Sequence, residues 1–203
     1  MGGTFDPVHN GHLIVARSIA EQLQLPRITL VPSARPPHKK PAHATPAQRL
    51  EMLRLAVEGE SLFDICDMEI DRDGPSYTLD TLIELRRIHG PDVKLTWIVG
   101  ADMLEDLPCW HRIGEVLGMA DIVIAARFPW VERLGPVLDS LEGRISPEAL
   151  ASMRKACVAS PLIDISSTAI RRRIARGLSV RFMVPDSVLA YINRLGVYAS
   201  APG

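Results

Sequence analysis

The sequence predicts an α/β fold whose parallel sheet is doubly wound, with helices on both faces and a small helical part at the carboxyl end. Short β-rich runs alternate with helical runs along the 203 residues, which is the order of a parallel sheet joined by crossover helices. Two of the β-rich runs, 94–99 and 122–126, are mostly apolar, as strands covered on both faces are. We expect a single domain over residues 1–203, whose helical carboxyl part begins near residue 166.

Helices are predicted where apolar residues recur at helical spacing between recognisable start and stop signals. The clearest start combines Thr45 as N-cap, Pro46 at the first helical position and Gln48 as the partner in a capping box. The predicted helices cover 11–24, a helix from Pro46 to a stop near Gly59, 77–89, 146–155, a basic helix capped by Ser166 or Ser167 that ends at Gly177, and 186–194.

Strands are predicted at 28–31, 63–70, 94–99, 122–126 and 162–165, each a short run rich in apolar residues. A glycine-rich motif follows Met1 directly, so no residue pattern predicts the central first strand that a doubly wound sheet normally has. We therefore expect either that this start is internal to a longer coding sequence or that the chain lacks a core strand, which would destabilise it.

Composition argues against several classes of partner. The formal net charge of -1 gives no basic field for nucleic acid, and no apolar run reaches the roughly 20 residues of a membrane span. The three cysteines, Cys66, Cys109 and Cys157, are far apart and lack metal-ligand spacing. We therefore expect no disulfide framework, no zinc site, no nucleic-acid or membrane partner, and a cytoplasmic location. The sequence leaves the oligomeric state open.

An anion site is predicted at the start of the chain, in the segment GGTFDPVHNGH of residues 2–12. Gly2 and Gly3 allow a phosphate to approach the backbone, and the helix that follows presents free N–H groups and a partial positive charge. His9 and His12 are three residues apart, so both can face one phosphate and donate a hydrogen bond to it. Singly, these residues would indicate a turn, a helix cap or a surface position; together they favour phosphate binding.

The segment ISSTAIRRR of residues 165–173 repeats this design. Ser166, Ser167 and Thr168 bring hydroxyl and N–H groups to a helix start, and Arg171 lies one turn further on, where it can fold back toward the same anion. The remaining arginines of this helix fit a solvated basic face, because no aromatic residues interleave them as in a nucleic-acid surface.

These two segments resemble known signatures. The first is similar to the HxGH signature of the nucleotidyltransferase superfamily, whose Rossmann-like fold is related to class I aminoacyl-tRNA synthetases. The second resembles the ISSTxIR motif of nucleotide adenylyltransferases, which binds the ATP triphosphate. The resemblance implies Mg²⁺ with ATP and catalytic roles for His9, His12 and Arg171. We expect the following residues to bind ATP: Gly2, Gly3, Thr4, Phe5, His9, His12, Gly100, Asp102, Ile165, Ser166, Ser167, Thr168 and Arg171.

Three further segments resemble the bacterial nicotinate-nucleotide adenylyltransferase family: PSARPPHKK at 32–40, GPSYTLDTL at 74–82 and IVGADMLEDLPCWHR at 98–112. A hydroxyl near a helix start can hold a carboxylate, and Trp110 offers a flat face to an aromatic ring. The resemblance implies that the acceptor is bound by His38, Lys39, Tyr77, Thr78, Trp110, His111 and Arg127. Simpler interpretations stay open: a proline-stiffened surface loop, Thr78 or Ser76 as a helix cap, and Trp110 as a core or rim hydrophobe.

The expected activity is transfer of an adenylyl group from ATP to nicotinate mononucleotide, which yields nicotinate adenine dinucleotide and pyrophosphate in NAD biosynthesis. One alternative is a sister adenylyl- or cytidylyltransferase that acts on phosphopantetheine or nicotinamide mononucleotide. Another, of a different class, is a non-catalytic nucleotide sensor, against which the presence of both histidines argues. Residues 130–160 carry no functional signal.

Overall fold

A computed structural model describes residues 1–36, 41–126, 130–161 and 163–199. Within these residues, the strands are β1 (Gly2–Gly3), β2 (Ile28–Pro32), β3 (Phe63–Ile65), β4 (Thr96–Gly100), β5 (Asp121–Ala126) and β6 (Cys157–Ala159). The helices are α1 (Asn10–Gln22), α2 (Pro46–Val57), α3 (Thr78–His89), α4 (Ile113–Met119), α5 (Trp130–Asp139), α6 (Pro147–Lys155), α7 (Ser167–Ala175) and α8 (Asp186–Leu195). None of these described helices has the length and apolar character needed to cross a membrane.

The strands follow the order of a doubly wound parallel sheet. β1 pairs with β2 and β2 with β3 in one half, and β4, β5 and β6 pair in the same way in the other. β1 and β4 lie beside each other where the halves meet, although no strand pairing joins them among the described residues, which gives the spatial order 3-2-1-4-5-6. At this junction a Cβ on Gly2 would come within 2.7 Å of the Trp97 indole, so only glycine fits the close approach. Ligands of such sheets bind at the carboxyl ends of the strands, where the strand order reverses.

Both faces of the sheet are covered by helices. Along β4, Ile98 packs into one core with Val123 and Ala125, whereas Trp97 and Val99 pack into the other. Successive side chains of a strand point to opposite faces, so this split places one core on each side. Buried residues of α1, α2, α7 and α8 complete the first core, and those of α3, α4, α5 and α6 complete the second. The predicted α/β class is therefore confirmed.

Helix starts follow the sequence signals closely. In α2, Gln48 N donates to Thr45 Oγ1 at 3.2 Å and Thr45 N donates to Gln48 Oε1 at 2.9 Å, which is the expected capping box with Pro46 at the first position. Of the two serines considered for α7, Ser166 is the cap and accepts from Ala169 N at 3.2 Å.

The strand predicted at 63–70 is too long. Only Phe63–Ile65 pairs with β2, and the chain then turns, with Ile70 N donating to Asp67 O at 2.7 Å. Polar and apolar residues continue to alternate past Ile65. Glu69 nevertheless lies in a turn, where its side chain is buried, and it does not pair with another strand.

The last strand was predicted in the wrong place. The described residues 163–165 form no strand, and β6 lies earlier, directly after α6. Ser160 closes the β6 edge by donating both its N–H and its hydroxyl to Ala126 O, at 3.3 and 2.8 Å. Pro161 follows and has no N–H with which to continue a ladder.

A strand is present where the sequence predicted none. Gly2 and Gly3 form the short β1, whose register pairs them with Val31 and Pro32 of β2. Two glycines carry no side-chain pattern, and their pairing is set by the backbone of β2. The periodicity of apolar residues therefore cannot predict this strand.

Candidate active site

Two adjoining cavities open at the carboxyl ends of β1 and β4. The larger has a volume of about 470 Å³ and the smaller about 140 Å³. Both are lined by the same residues of β1 and β4 and of the segments that follow them: Gly2, Gly3, Thr4, Ile98, Gly100 and Met103. Groups bound in the two cavities can therefore meet across this common wall.

The larger cavity collects every residue that we expected to bind ATP. They come from β1 and the start of α1, from the end of β4, and from the segment that leads into α7: Gly2, Gly3, Thr4, Phe5, His9, His12, Gly100, Asp102, Ile165, Ser166, Ser167, Thr168 and Arg171. Both α1 and α7 begin at the cavity wall, so two helix N-termini direct their partial positive charge to one space.

His9 and His12 form a stacked pair at the start of α1. Their ring centroids are 3.6 Å apart with the planes 18° from parallel. The rings of Phe5 and His12 pack edge to face, with their centroids 5.1 Å apart. Each Nδ1 accepts a backbone N–H of the other residue, at 3.3 Å in both cases. A neutral imidazole that accepts at Nδ1 carries its proton on Nε2. The histidines therefore cap the helix, and the same hydrogen bonds make Nε2 the donor of each ring.

The start of α7 is tied directly to the amino-terminal motif. Ser167 Oγ donates to Pro7 O at 2.9 Å. Arg171 donates from Nη1 to Asp6 O at 2.6 Å and from Nη2 to Thr168 Oγ1 at 3.3 Å, which holds its guanidinium at the cavity wall. The two segments with anion-site patterns thus form one structural unit.

Asp6 organises this unit, a role that sequence reasoning missed. Its buried carboxylate accepts from His43 N at 2.8 Å, Ala44 N at 3.0 Å and Tyr198 Oη at 2.8 Å, and Nη1 of Arg171 lies 3.7 Å from Oδ2. Burial alone would raise the pKa of Asp6, but these hydrogen bonds and the arginine charge outweigh it and hold the pKa below its ordinary value. The proximity of Asp6 to the phosphate pattern was the only signal in the sequence.

Arg49 is a second residue that the sequence did not reveal. Its side chain is fully buried, and Nη1 donates to Thr4 O and Ser33 O at 2.7 Å each, while Nη2 donates to Ala34 O at 3.4 Å. Burial lowers the pKa of this guanidinium, and the nearby charge of Asp6 opposes that effect. Arg49 therefore joins the end of β1 to the end of β2 beneath the cavities. An arginine on an amphipathic helix normally suggests a solvated position, so no pattern marked it.

The end of β4 supplies the far wall of the larger cavity. Gly100 closes β4, and the carboxylate of Asp102 lies so close to it that a side chain at position 100 would collide with that carboxylate. Among the described residues, no group of three His, Cys, Asp or Glu side chains has the arrangement of a metal site.

The smaller cavity collects the predicted acceptor residues that the structure describes. Tyr77, Thr78, Trp110 and His111 line it, and the rings of Tyr77 and His111 stack with centroids 4.4 Å apart. Tyr77 is the N-cap residue of α3 without a side-chain hydrogen bond to the helix, so neither Thr78 nor Ser76 is the cap. The other predicted acceptor residues, His38, Lys39 and Arg127, lie outside the described residues.

Glu69 completes the wall of the smaller cavity and was also missed. Its side chain is buried, and Oε1 accepts from Thr81 Oγ1 at 2.6 Å. Burial raises the pKa of Glu69 above its ordinary value, although the hydroxyls of Thr81 and Ser76 and the charge of Arg72 favour the ionised form. Because residues 63–70 were predicted to form a strand, the sequence did not indicate that Glu69 lines a cavity.

Comparison with known proteins places the chain in a family. Residues 1–173 match the model of the cytidylyltransferase-like family. A relative from Marinobacter nauticus with the name "Probable nicotinate-nucleotide adenylyltransferase" is 40% identical over 99% of this chain and 96% of its own length. A relative of the same name from Thermomicrobium roseum is 42% identical over 97% of this chain and 89% of its own. The chain belongs to the nicotinate-nucleotide adenylyltransferase family. As a member of this nucleotidyltransferase family, it is an enzyme.

A solved structure shows the same fold in a distant adenylyltransferase. The Plasmodium falciparum nicotinic acid mononucleotide adenylyltransferase complexed with NaAD superimposes with a TM-score of 0.75 at 18% identity, over 97% of this chain and 94% of its own. At this identity the likeness shows the fold, and it agrees with the doubly wound sheet of this family member.

Proposed function

We propose that this enzyme transfers the adenylyl group of ATP to nicotinate mononucleotide, forming nicotinate adenine dinucleotide and pyrophosphate in the biosynthesis of NAD. The observation that carries the proposal is the common wall of the two cavities along residues 2–4. ATP in the larger cavity, with its α-phosphate at this wall, lies next to the phosphate of a mononucleotide in the smaller cavity. The names of the curated relatives point to the same acceptor.

In this proposal the larger cavity binds the triphosphate. His9 and His12 donate from Nε2 to the α- and β-phosphates, and the partial positive charge at the start of α1 stabilises the same phosphates. Ser167, Thr168 and Arg171 bind the β- and γ-phosphates. A guanidinium has five N–H donors, and the bonds to Asp6 and Thr168 use two of those of Arg171, so others can reach the anion. Asp102 accepts from the ribose hydroxyls.

The smaller cavity binds the pyridine mononucleotide. Its ring stacks on Trp110, and its carboxylate meets the hydroxyl of Thr78, the first N–H groups of α3 and the backbone N–H of His111. His38, Lys39 and Arg127 are assigned to this acceptor from the sequence motifs.

The reaction needs no general base. A phosphate monoester is mostly dianionic near neutral pH because its second pKa is about 6. One of its oxygens attacks the α-phosphorus of ATP, the bond between the α-phosphorus and the bridging oxygen breaks, and pyrophosphate leaves with the bonding electrons. The barrier arises from repulsion between the phosphates and from charge that develops on the leaving group. The imidazoles, the arginine and the two helix starts therefore act by positioning and by electrostatic stabilisation.

Mg²⁺ is proposed to enter with ATP. The carboxylate of Asp6 already accepts hydrogen bonds from His43, Ala44 and Tyr198. The described residues contain no cluster of three side chains that could bind a metal ion. The donor set thus suits an ion that is held by triphosphate oxygens and water, which is the coordination that Mg²⁺ favours. A cytoplasmic location is proposed as well, since all three cysteines are free thiols.

The proposal is tested by measuring pyrophosphate release from Mg-ATP with nicotinate mononucleotide, nicotinamide mononucleotide or phosphopantetheine as the acceptor. We expect strong preference for the nicotinate compound. Preference for another acceptor would leave the ATP site in place and refute the assignment of the smaller cavity. ATP binding without pyrophosphate release for any acceptor would indicate a nucleotide sensor instead.

A further inference from the structure

Glu69 is a buried carboxyl group that the proposed chemistry does not use. It has 4% of its surface exposed, lies in the turn after β3 and forms part of the wall of the smaller cavity. Burying a carboxyl group costs free energy, and apolar residues of similar volume often fill such positions at no loss of stability. The position of this carboxyl group therefore suggests a role beyond stabilising the fold.

Ser76 lines the same cavity and holds the segment after β2. The hydroxyl oxygen of Ser76 accepts the N–H groups of Ala34 and Arg35, at 3.1 and 3.2 Å, which occupy both of its lone pairs. The N–H of Ser76 donates to Arg35 O at 3.0 Å. The segment after β2 is therefore tied to Ser76, the residue that precedes the N-cap of α3.

Glu69 is hydrogen-bonded to the first turn of α3 through Thr81. This fully buried threonine donates to Glu69 Oε1 at 2.6 Å, and its hydroxyl also lies 3.4 Å from Tyr77 O. Tyr77 is the residue from which α3 starts, and its ring forms part of the cavity. Glu69 therefore fixes the first turn of α3, and Ser76 joins the start of that helix to the segment after β2.

We propose that Glu69 is a positioning residue for the acceptor: through the hydroxyl of Thr81 it holds the first turn of α3, with Tyr77 and Thr78, where the mononucleotide requires it. The inference rests on the proposed function for the identity of the acceptor. Glu69 itself takes no part in the transfer, because the groups assigned to the triphosphate lie in the other cavity.

Two changes at this network separate positioning from chemistry. In Glu69→Gln, a neutral amide replaces the charged acceptor of the Thr81 hydroxyl, so this hydrogen bond loses its charge-assisted strength. Thr81→Val keeps the shape of the side chain and removes its donor. We expect Thr81→Val to raise the KM for nicotinate mononucleotide by about tenfold, the effect of about one lost hydrogen bond, and Glu69→Gln to raise it by about threefold, with kcat and the KM for ATP within about twofold of their original values.

Thr81→Ser is the conservative variant, because it keeps the hydroxyl that donates to Glu69, and it should return the acceptor KM to within about twofold of the original. Ser140→Ala is the matched control. It removes a hydroxyl that donates to Val137 O at 2.7 Å, at the end of α5 and outside both cavities, and should leave both KM values unchanged. If Glu69→Gln does not fold, the Thr81 pair carries the test alone.

Equal changes in the KM values for ATP and for the acceptor would overturn the proposal, because a general loss of structure affects both substrates. A Thr81→Ser variant as impaired as Thr81→Val would overturn it as well. Failure of the proposed function is seen separately, in the unmodified enzyme, as absence of turnover with nicotinate mononucleotide. The KM shifts are then measured with whichever acceptor the enzyme uses, so that the positioning role is still decided.

Discussion

Replacement of Asp6 by asparagine should destabilise the protein strongly. In Asp6→Asn, Oδ1 can still accept from Ala44 N and Tyr198 Oη, but the NH₂ group takes the place of Oδ2, which accepts from His43 N at 2.8 Å. The lost hydrogen bond to a charged acceptor is worth about 1.5–3 kcal/mol, and the N–H group left facing another donor costs about 1–3 kcal/mol more. We therefore expect the free energy of unfolding to fall by about 2.5–6 kcal/mol at pH 7.

The assay is urea unfolding followed by circular dichroism and extrapolated to zero denaturant. Tyr198→Phe is the partial control, since it removes one donor to the carboxylate and should cost about 1.5–3 kcal/mol. The pKa of Asp6 is lowered in the folded state, so its contribution is complete above the unfolded pKa of about 3.9 and is lost as the pH falls through the folded pKa. The difference between the two proteins should narrow below about pH 4. A difference under about 1 kcal/mol at pH 7, or one that does not narrow in acid, would refute the reasoning.

Three further variants test the site and a helix start. His12→Asn keeps an acceptor for His9 N but loses the Nε2 donor, so kcat should fall by about 10²–10³ with the circular dichroism spectrum unchanged; a fall of less than about threefold would remove the role of His12. Trp110→Ala should raise the acceptor KM by about tenfold and leave the KM for ATP near its original value, because Trp110 lines only the smaller cavity; equal effects on both would contradict stacking. Thr45→Ala removes the hydroxyl that accepts from Gln48 N. Urea unfolding should show that the free energy of unfolding falls by about 1 kcal/mol, with kcat and both KM values unchanged. A change in kcat or KM would mean that α2 affects the site in a way that the structure does not show.

The sequence predicted those parts of the molecule that depend on local patterns. The start of α2 was marked by Thr45, Pro46 and Gln48, and the cavity residues of both helix-start motifs were named because each motif is contiguous along the chain. Buried strands such as β5 were recognisable from their apolar composition.

The missed features depend on contacts between distant segments. Arg49 is buried because carbonyl groups of β1 and β2 converge on it, and Asp6 meets Tyr198 from the far end of the chain. Glu69 was not recognised because polar and apolar residues continue to alternate after β3 ends at Ile65. β1 has no side chains to form a pattern. In each case the tertiary arrangement, and not the local sequence, determines the role of the residue.

The central claim is that the two cavities bring ATP and nicotinate mononucleotide together for transfer of the adenylyl group. The most direct test supplies ATP radiolabelled at the α-phosphate or, in a parallel reaction, at the γ-phosphate, and separates the products after incubation with nicotinate mononucleotide and Mg²⁺. The α-label should appear in nicotinate adenine dinucleotide and the γ-label in pyrophosphate. An α-label that stays in ATP, or a γ-label released as free phosphate, would contradict the account.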